Sequence, residues 1–190
     1  MRRIICLTAI AVGAIAVGAG LASASGSSKT VSVPATSAPV RGFTGETAPV
    51  NSGVTLVTGQ QIVVTASGTW SVGGGITTSP SGTSATCASV GGGCPVGSAG
   101  QGALIGSLNG GASWFAIGTG PMTIGGTGTL LLAANDIWNG DNSGSVSVNI
   151  AIGPLPPTDP SQCKNGGWQA FGIFKNQGDC TNYAGSHGKK

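Results

Sequence analysis

Asn135, Asp136, Asn139, Asp141 and Asn142 fall within eight consecutive residues and include two of the five acidic side chains in the 190-residue chain. Between Gly42 and Gly153 the one further carboxylate is Glu46. Only 7% of residues are charged, so such a chain has little reason to crowd carboxylates and amides into one loop. Carboxylate, amide and backbone oxygens around a flexible turn are the hard donors that Ca²⁺ takes, roughly six to eight at a time. The same residue types also build turns for backbone reasons alone, because Asx side chains bond their own main chain. Taken by itself, the loop leaves both readings open.

The flanks of this loop are strands. Leu130–Ala134 precedes it, and in Ser145–Ile150 the residues Val146, Val148 and Ile150 share one face while Ser145, Ser147 and Asn149 share the other. Period-two alternation with one polar face fits an antiparallel sheet packed on one side. Further strand candidates are 54–57, 61–67, 102–108, 112–117 and 128–134, and the first two flank Thr58-Gly59-Gln60 in a hairpin-like pattern. The composition agrees. With 36 glycines and few charges, the chain is poor helix material, since glycine costs about 1 kcal/mol in a helix interior and β-branched residues favour strands. The expected fold is all-β, an antiparallel β-sandwich or jelly roll. Trp70 and Trp114 fall in expected strands and read as core.

The domain plan follows from composition. Arg2 and Arg3, an apolar run over 4–21 and Ala22-Ser23-Ala24 make residues 1–24 a signal peptide, cleaved before Ser25. An uncleaved anchor is the alternative, because the run nearly reaches membrane-spanning length. Residues 25–40 form an extended N-terminal segment, 41–153 the compact domain, 154–162 a proline-rich linker, and 163–190 a small tail module whose end from Tyr183 is unstructured. An exported chain keeps disulfides. Cys87, Cys94, Cys163 and Cys180 allow three connectivities, and locality favours Cys87–Cys94 with Cys163–Cys180. The first pair lies in a long Gly/Ser/Thr segment between Val72 and Gln101, which a cross-link would shape.

Ala66-Ser67-Gly68-Thr69-Trp70-Ser71, Gly102-Ala103-Leu104-Ile105-Gly106 and Asn135-Asp136 followed by Asp141-Asn142-Ser143-Gly144-Ser145-Val146-Ser147-Val148 together resemble the bacterial galactophilic lectins. That family is a calcium-dependent, galactose-binding β-sandwich, and the likeness runs in order from about Val50 to Ile152. Cys87 and Cys94, ahead of Gly102-Ala103-Leu104, resemble a cysteine pair of the family. The resemblance implies Ca²⁺ ligands at Asp136, Asp141 and Asn142 and at the Val72 backbone carbonyl, with vicinal sugar hydroxyls completing the shell. The loop is shorter here than in the galactose binders, so the family's loop threonine has no counterpart and Asn139 stands as its substitute. The family's sugar-contacting His and Gln are absent, since the polar side chains between Pro80 and Ala99 are Ser and Thr apart from the cysteines. The tail, Cys163-Lys164-Asn165-Gly166-Gly167-Trp168 onward, resembles a C-terminal motif of exported actinobacterial proteins. It reads either as a spacer or as an attachment element.

Function classes narrow accordingly. A Ser-His-Asp or Cys-His set needs a histidine within the domain, and the one histidine, His187, is near the C-terminus. Two carboxylates around a bound ion would both stay ionised, which does not suit the acid–base pair of glycoside hydrolysis. The expectation is no enzyme. The formal charge of +3 includes Arg2 and Arg3, which leaves no basic patch for nucleic acid, and no second apolar stretch follows the leader, so no stable membrane insertion is expected. The expected function is a secreted, extracellular or cell-surface protein that binds a carbohydrate with a galactose-like vicinal diol through Ca²⁺. The expected ligand-binding side chains are Asp136, Trp138, Asn139, Asp141 and Asn142. Trp138 either stacks on the sugar ring or folds inward with Ile137. The competing class is a structural or surface-assembly sandwich that binds no sugar, and the sequence leaves the sugar and the oligomeric state open.

Overall fold

A computed structural model describes residues 26–39, 42–90 and 93–188. The expected signal peptide and its cleavage site lie outside the described residues. Alternating apolar and hydroxyl residues make one sheet from β1 (Ser27–Pro34), β10 (Ser143–Ile152), β3 (Gln61–Ser67) and β8 (Met122–Gly125). β10 is the centre of it, with β1 along one edge and β3 along the other. Two short strands, β4 (Trp70–Ser71) and β5 (Thr77–Thr78), continue the sheet beside the start of β10. The second sheet has the order β2 (Val50–Leu56), β9 (Gly128–Asn135), β6 (Ala103–Ser107), β7 (Phe115–Ala116). Every strand pair is antiparallel.

The sheets face one another across a single apolar layer. Val33, Ile62, Val64, Trp70, Val146, Val148 and Ile150 meet Val54, Leu56, Leu104, Leu130 and Leu132. Each such side chain contributes about 1.5–3 kcal/mol when fully buried. The polar–apolar alternation expected for β10 is present, with Val146, Val148 and Ile150 buried between exposed neighbours. β6 breaks that rule, since all five of its residues are buried. Successive side chains point to opposite faces, so β6 is covered on both. The fold is an antiparallel β-sandwich with a disulfide-closed tail, and Cys87–Cys94 and Cys163–Cys180 are both joined.

Four expectations change. The pattern around Thr58-Gly59-Gln60 is no hairpin, because β2 pairs with β9 while β3 pairs with β10 and β8. The same turn residues can reverse a chain within a sheet or carry it across to the other, and here Gln60 does the second. Its buried side chain accepts from the Val57 amide at 3.4 Å and donates to the Gly153 carbonyl at 3.1 Å. The segment 25–40 is more than an N-terminal lead-in. Val31 and Val33 face inward and the chain pairs with β10 along eight registers, so β1 belongs to the sandwich. The candidate at 112–117 shrinks to β7, which leaves Trp114 half-buried in a loop and outside the core. Its indole Nε1 donates to the Gly111 carbonyl at 3.0 Å. Trp70, by contrast, is 1% exposed and donates to the Gly102 carbonyl at 2.8 Å.

The fourth change is in the tail, where Tyr183–His187 belong to a helix, α1 (Gln177–His187). Asn176 caps it by accepting from the Asp179 amide at 2.9 Å. Tyr183 stacks on His187 one turn later, with ring centroids 4.3 Å apart. Trp168, Phe171 and Phe174 pack on the Cys163–Cys180 bridge. The Tyr183 hydroxyl donates to the Thr58 carbonyl at 2.9 Å, which ties the tail to the turn between β2 and β3. Gly59 permits this approach: its φ is +81°, and an added Cβ would stand 2.6 Å from that hydroxyl. Among the described residues no helix is long and apolar enough to cross a membrane.

Candidate functional site

The site is built at the end of the sandwich where β9 turns into β10. Asn135, the last residue of β9, is fully buried and works as a clamp on the disulfide loop. Its Oδ1 accepts from the Val96 amide at 3.0 Å, and its Nδ2 donates to the carbonyls of Val96 and Gly100 at 3.0 and 3.2 Å. The next residue, Asp136, is 5% exposed. Its Oδ1 accepts from Gln101 Nε2 at 2.9 Å and from the Ile137 amide at 2.7 Å. Its Oδ2 is buried with no hydrogen-bond partner.

A 3-10 turn, Asn139–Asp141, follows. Asn139 is 1% exposed. Its Nδ2 donates to three carbonyls, those of Ala35, Ser37 and Ala134, at 3.1–3.2 Å. Asn142 Nδ2 also donates to Ala35, at 3.1 Å, and Asn142 Oδ1 is buried without a partner. Residues 35–38, beyond β1, therefore supply the carbonyls that hold the loop from beneath. Asp141 is exposed, and its carboxylate lies against Gly73, where an added Cβ would collide with it. Gly73 has φ +77° and no side chain, which lets the Asp141 carboxylate come up against its backbone. Of the five expected ligands, Asp141 thus meets the Val72 turn, while Asp136 and Asn142 each bring a buried oxygen from the same short loop. Asn139 enters through its amide nitrogen and pins the loop.

Glu46, the one further carboxylate of the domain, completes the arrangement. Its Oε2 accepts from the amides of Gly42 and Phe43 at 2.9 and 3.0 Å, and its Oε1 accepts from the Asn139 amide at 3.1 Å. Burial pushes the carboxyl up, but the three amide donors outweigh it and hold the group below the ordinary glutamate range. Gly45 and Gly140 let the two loops touch backbone to backbone, since a Cβ on Gly45 would stand 2.6 Å from the Gly140 carbonyl oxygen. A separation of 93 residues between Glu46 and Asn139 leaves no local pattern by which this contact could be read.

Trp138 faces outward, 47% exposed, with its ring 6.3 Å from that of Phe43 and its Nε1 donating to the Thr44 carbonyl at 3.4 Å. Ile137 is likewise exposed. Of the two placements open for this pair, the inward one is excluded. Among the described residues no three Asp, Glu, His or Cys side chains converge on one point. Any cation held here would draw on the carboxylates of Asp136 and Asp141 and otherwise on amide and backbone oxygens, a donor set that suits Ca²⁺ and does not suit zinc.

No family model matches the chain, and no curated protein matches it. Among solved structures the chain is similar to one described as the EclA N-terminal domain, a PllA-like lectin. The likeness has 23% identity and a TM-score of 0.47, over 65% of this chain and 95% of that one.

Proposed function

We propose that this is an exported, calcium-dependent carbohydrate-binding protein whose ligand offers a vicinal diol to the ion. One observation carries the reading: Asp136 Oδ2 and Asn142 Oδ1 are both buried and both lack a partner. Leaving a buried polar atom unsatisfied costs about 1–3 kcal/mol, and more for a charged one, so these two oxygens in one short loop support a bound cation there. The residues fit the ion that the lectin resemblance implies. Asp136 and Asp141 would supply charge, Asn142 an amide oxygen and Val72 its carbonyl, and bound Ca²⁺ would then accept hydroxyl oxygens in its remaining positions. Trp138, exposed at the rim, offers a flat face to the apolar side of a sugar ring. The work we infer is binding, with the loop oxygens and the exposed Trp138 ring placed to hold a ligand.

A second reading keeps the sandwich as a structural module. It is favoured by Asn139, whose three carbonyl bonds show how far these Asx side chains serve the chain's own turn. A glycan array run on the secreted protein with and without Ca²⁺ separates the two. The carbohydrate reading expects hits that appear with Ca²⁺ and vanish in EDTA. An array silent under both conditions, from folded protein, puts the structural module first.

A further inference from the structure

A cleft of about 650 Å³ opens directly beside Asp136. Its walls come from four separate segments of chain: Pro39 and Phe43, Pro95 of the disulfide loop, Trp114, and Ile137 with Asp136 itself. Asp136 is the one ionisable side chain among the described residues that line it. Apart from Ser113 the rest of the lining is apolar or glycine, with two aromatic rings. Pockets that enclose ligands of several rings run about 300–1,000 Å³, so this one exceeds what a single hexose on an ion needs. A sugar ring presents C–H groups on one face and hydroxyls at its edge. An aromatic wall with backbone polar groups around it suits that surface, as aromatic side chains combine apolar area with polar edges.

We infer that the protein takes an oligosaccharide rather than a monosaccharide. In this assignment the terminal ring meets the ion at Asp136, and the second ring lies in the cleft against Trp114 and Phe43. The inference rests on the preceding reading for the terminal ring, and its own ground is that Asp136 lines the cleft together with Phe43 and Trp114. It also gives Trp114 a role. The side chain leaves the core and is braced by its bond to the Gly111 carbonyl, which holds a broad ring at the cleft wall. The Cys87–Cys94 bridge and the Asn135 clamp fix the part of the lining that Pro95 supplies, because Pro95 sits between Cys94 and the clamped Val96.

The test is calorimetry on the secreted protein in saturating Ca²⁺. The probes are the methyl glycosides of galactose, mannose and fucose, each compared with disaccharides ending in the same sugar. The disaccharide of the preferred sugar should bind about tenfold more tightly than its methyl glycoside, the scale of one good aromatic contact. That ratio should fall toward one in Trp114→Ala and in Phe43→Ala, and survive in Trp114→Phe, which keeps a ring but loses the Nε1 donor. Phe43 is 57% exposed, so its truncation leaves the core intact and keeps the test valid should Trp114→Ala unfold. Equal affinity for both probes overturns the inference and leaves the diol site standing. A disaccharide gain unchanged in both alanine variants also overturns it, since the second ring then lies elsewhere. Failure of every glycoside to bind removes the diol site and the inference together.

Discussion

Glu46 holds three amides from two loops, and its charge is what makes those bonds strong. Because its carboxyl titrates below the ordinary glutamate value, the folded state binds the proton more weakly than the unfolded chain does. Its contribution to stability is therefore complete above the ordinary glutamate pKa and is lost as pH falls through the lower folded value. Glu46→Gln should lower the melting temperature at neutral pH by the equivalent of about 1 kcal/mol or less, the group being partly solvated. The difference should vanish at acid pH, where wild type carries no charge either. Thermal melts of the pair from pH 7 downward check this, and a difference that ignores pH would refute it. Asp136 and Asp141 stand out in the sequence as candidates because carboxylates are rare in this chain and these two share one loop with Asn142. Glu46 does not, because its partners are backbone N–H groups, which every residue but proline carries. Asn139 shows the other limit: residue type gives an oxygen and a nitrogen, and only the fold decides which of them is spent on carbonyls.

At the scale of elements, the connection from β9 to β10 and the disulfide loop act as one unit, and Asn135 joins them. Asn135→Ala removes three hydrogen bonds and leaves the Val96 and Gly100 backbone groups without that partner, a loss of about 2–3 kcal/mol. Urea unfolding should register the loss, and hydrogen exchange should locate it, with the Val96 amide exchanging faster while the core amides of β10 keep their order of protection. An unchanged Val96 rate would contradict the clamp. The alternation of β10 was readable because one face is buried and one is wet. β1 carries the same pattern more faintly, with two inward valines among Ser, Thr and Lys, so it passed for a lead-in. The step from β2 to β3 was misread because a tight turn fixes the reversal of the chain and not the sheet the next strand joins. Gln60, a polar residue buried for its bonds to Val57 and Gly153, is the detail that decides it.

At the scale of the whole molecule, β10 separates two working ends. It begins at the candidate site, beside Trp70 and Ser71, and ends next to Gly153, whose carbonyl accepts from Gln60. Ten extended residues span about 30 Å, so the tail on the turn between β2 and β3 sits away from the Asp136 cradle. α1 was invisible in a glycine-bearing polar segment, since its order comes from the Asn176 cap, the disulfide and the docking of Tyr183. Such an arrangement puts the candidate site at one end of the sandwich and the tail at the other. The account stands or falls on the cation. Titration calorimetry of the protein should show a Ca²⁺ isotherm near one site per chain. Asp136→Asn, which keeps the acceptor for Gln101 and Ile137 while removing the charge, should weaken it at least about tenfold, and Asp141→Ala should do the same. Absence of Ca²⁺ heat in the folded wild type, or an isotherm untouched in the double variant, would contradict it.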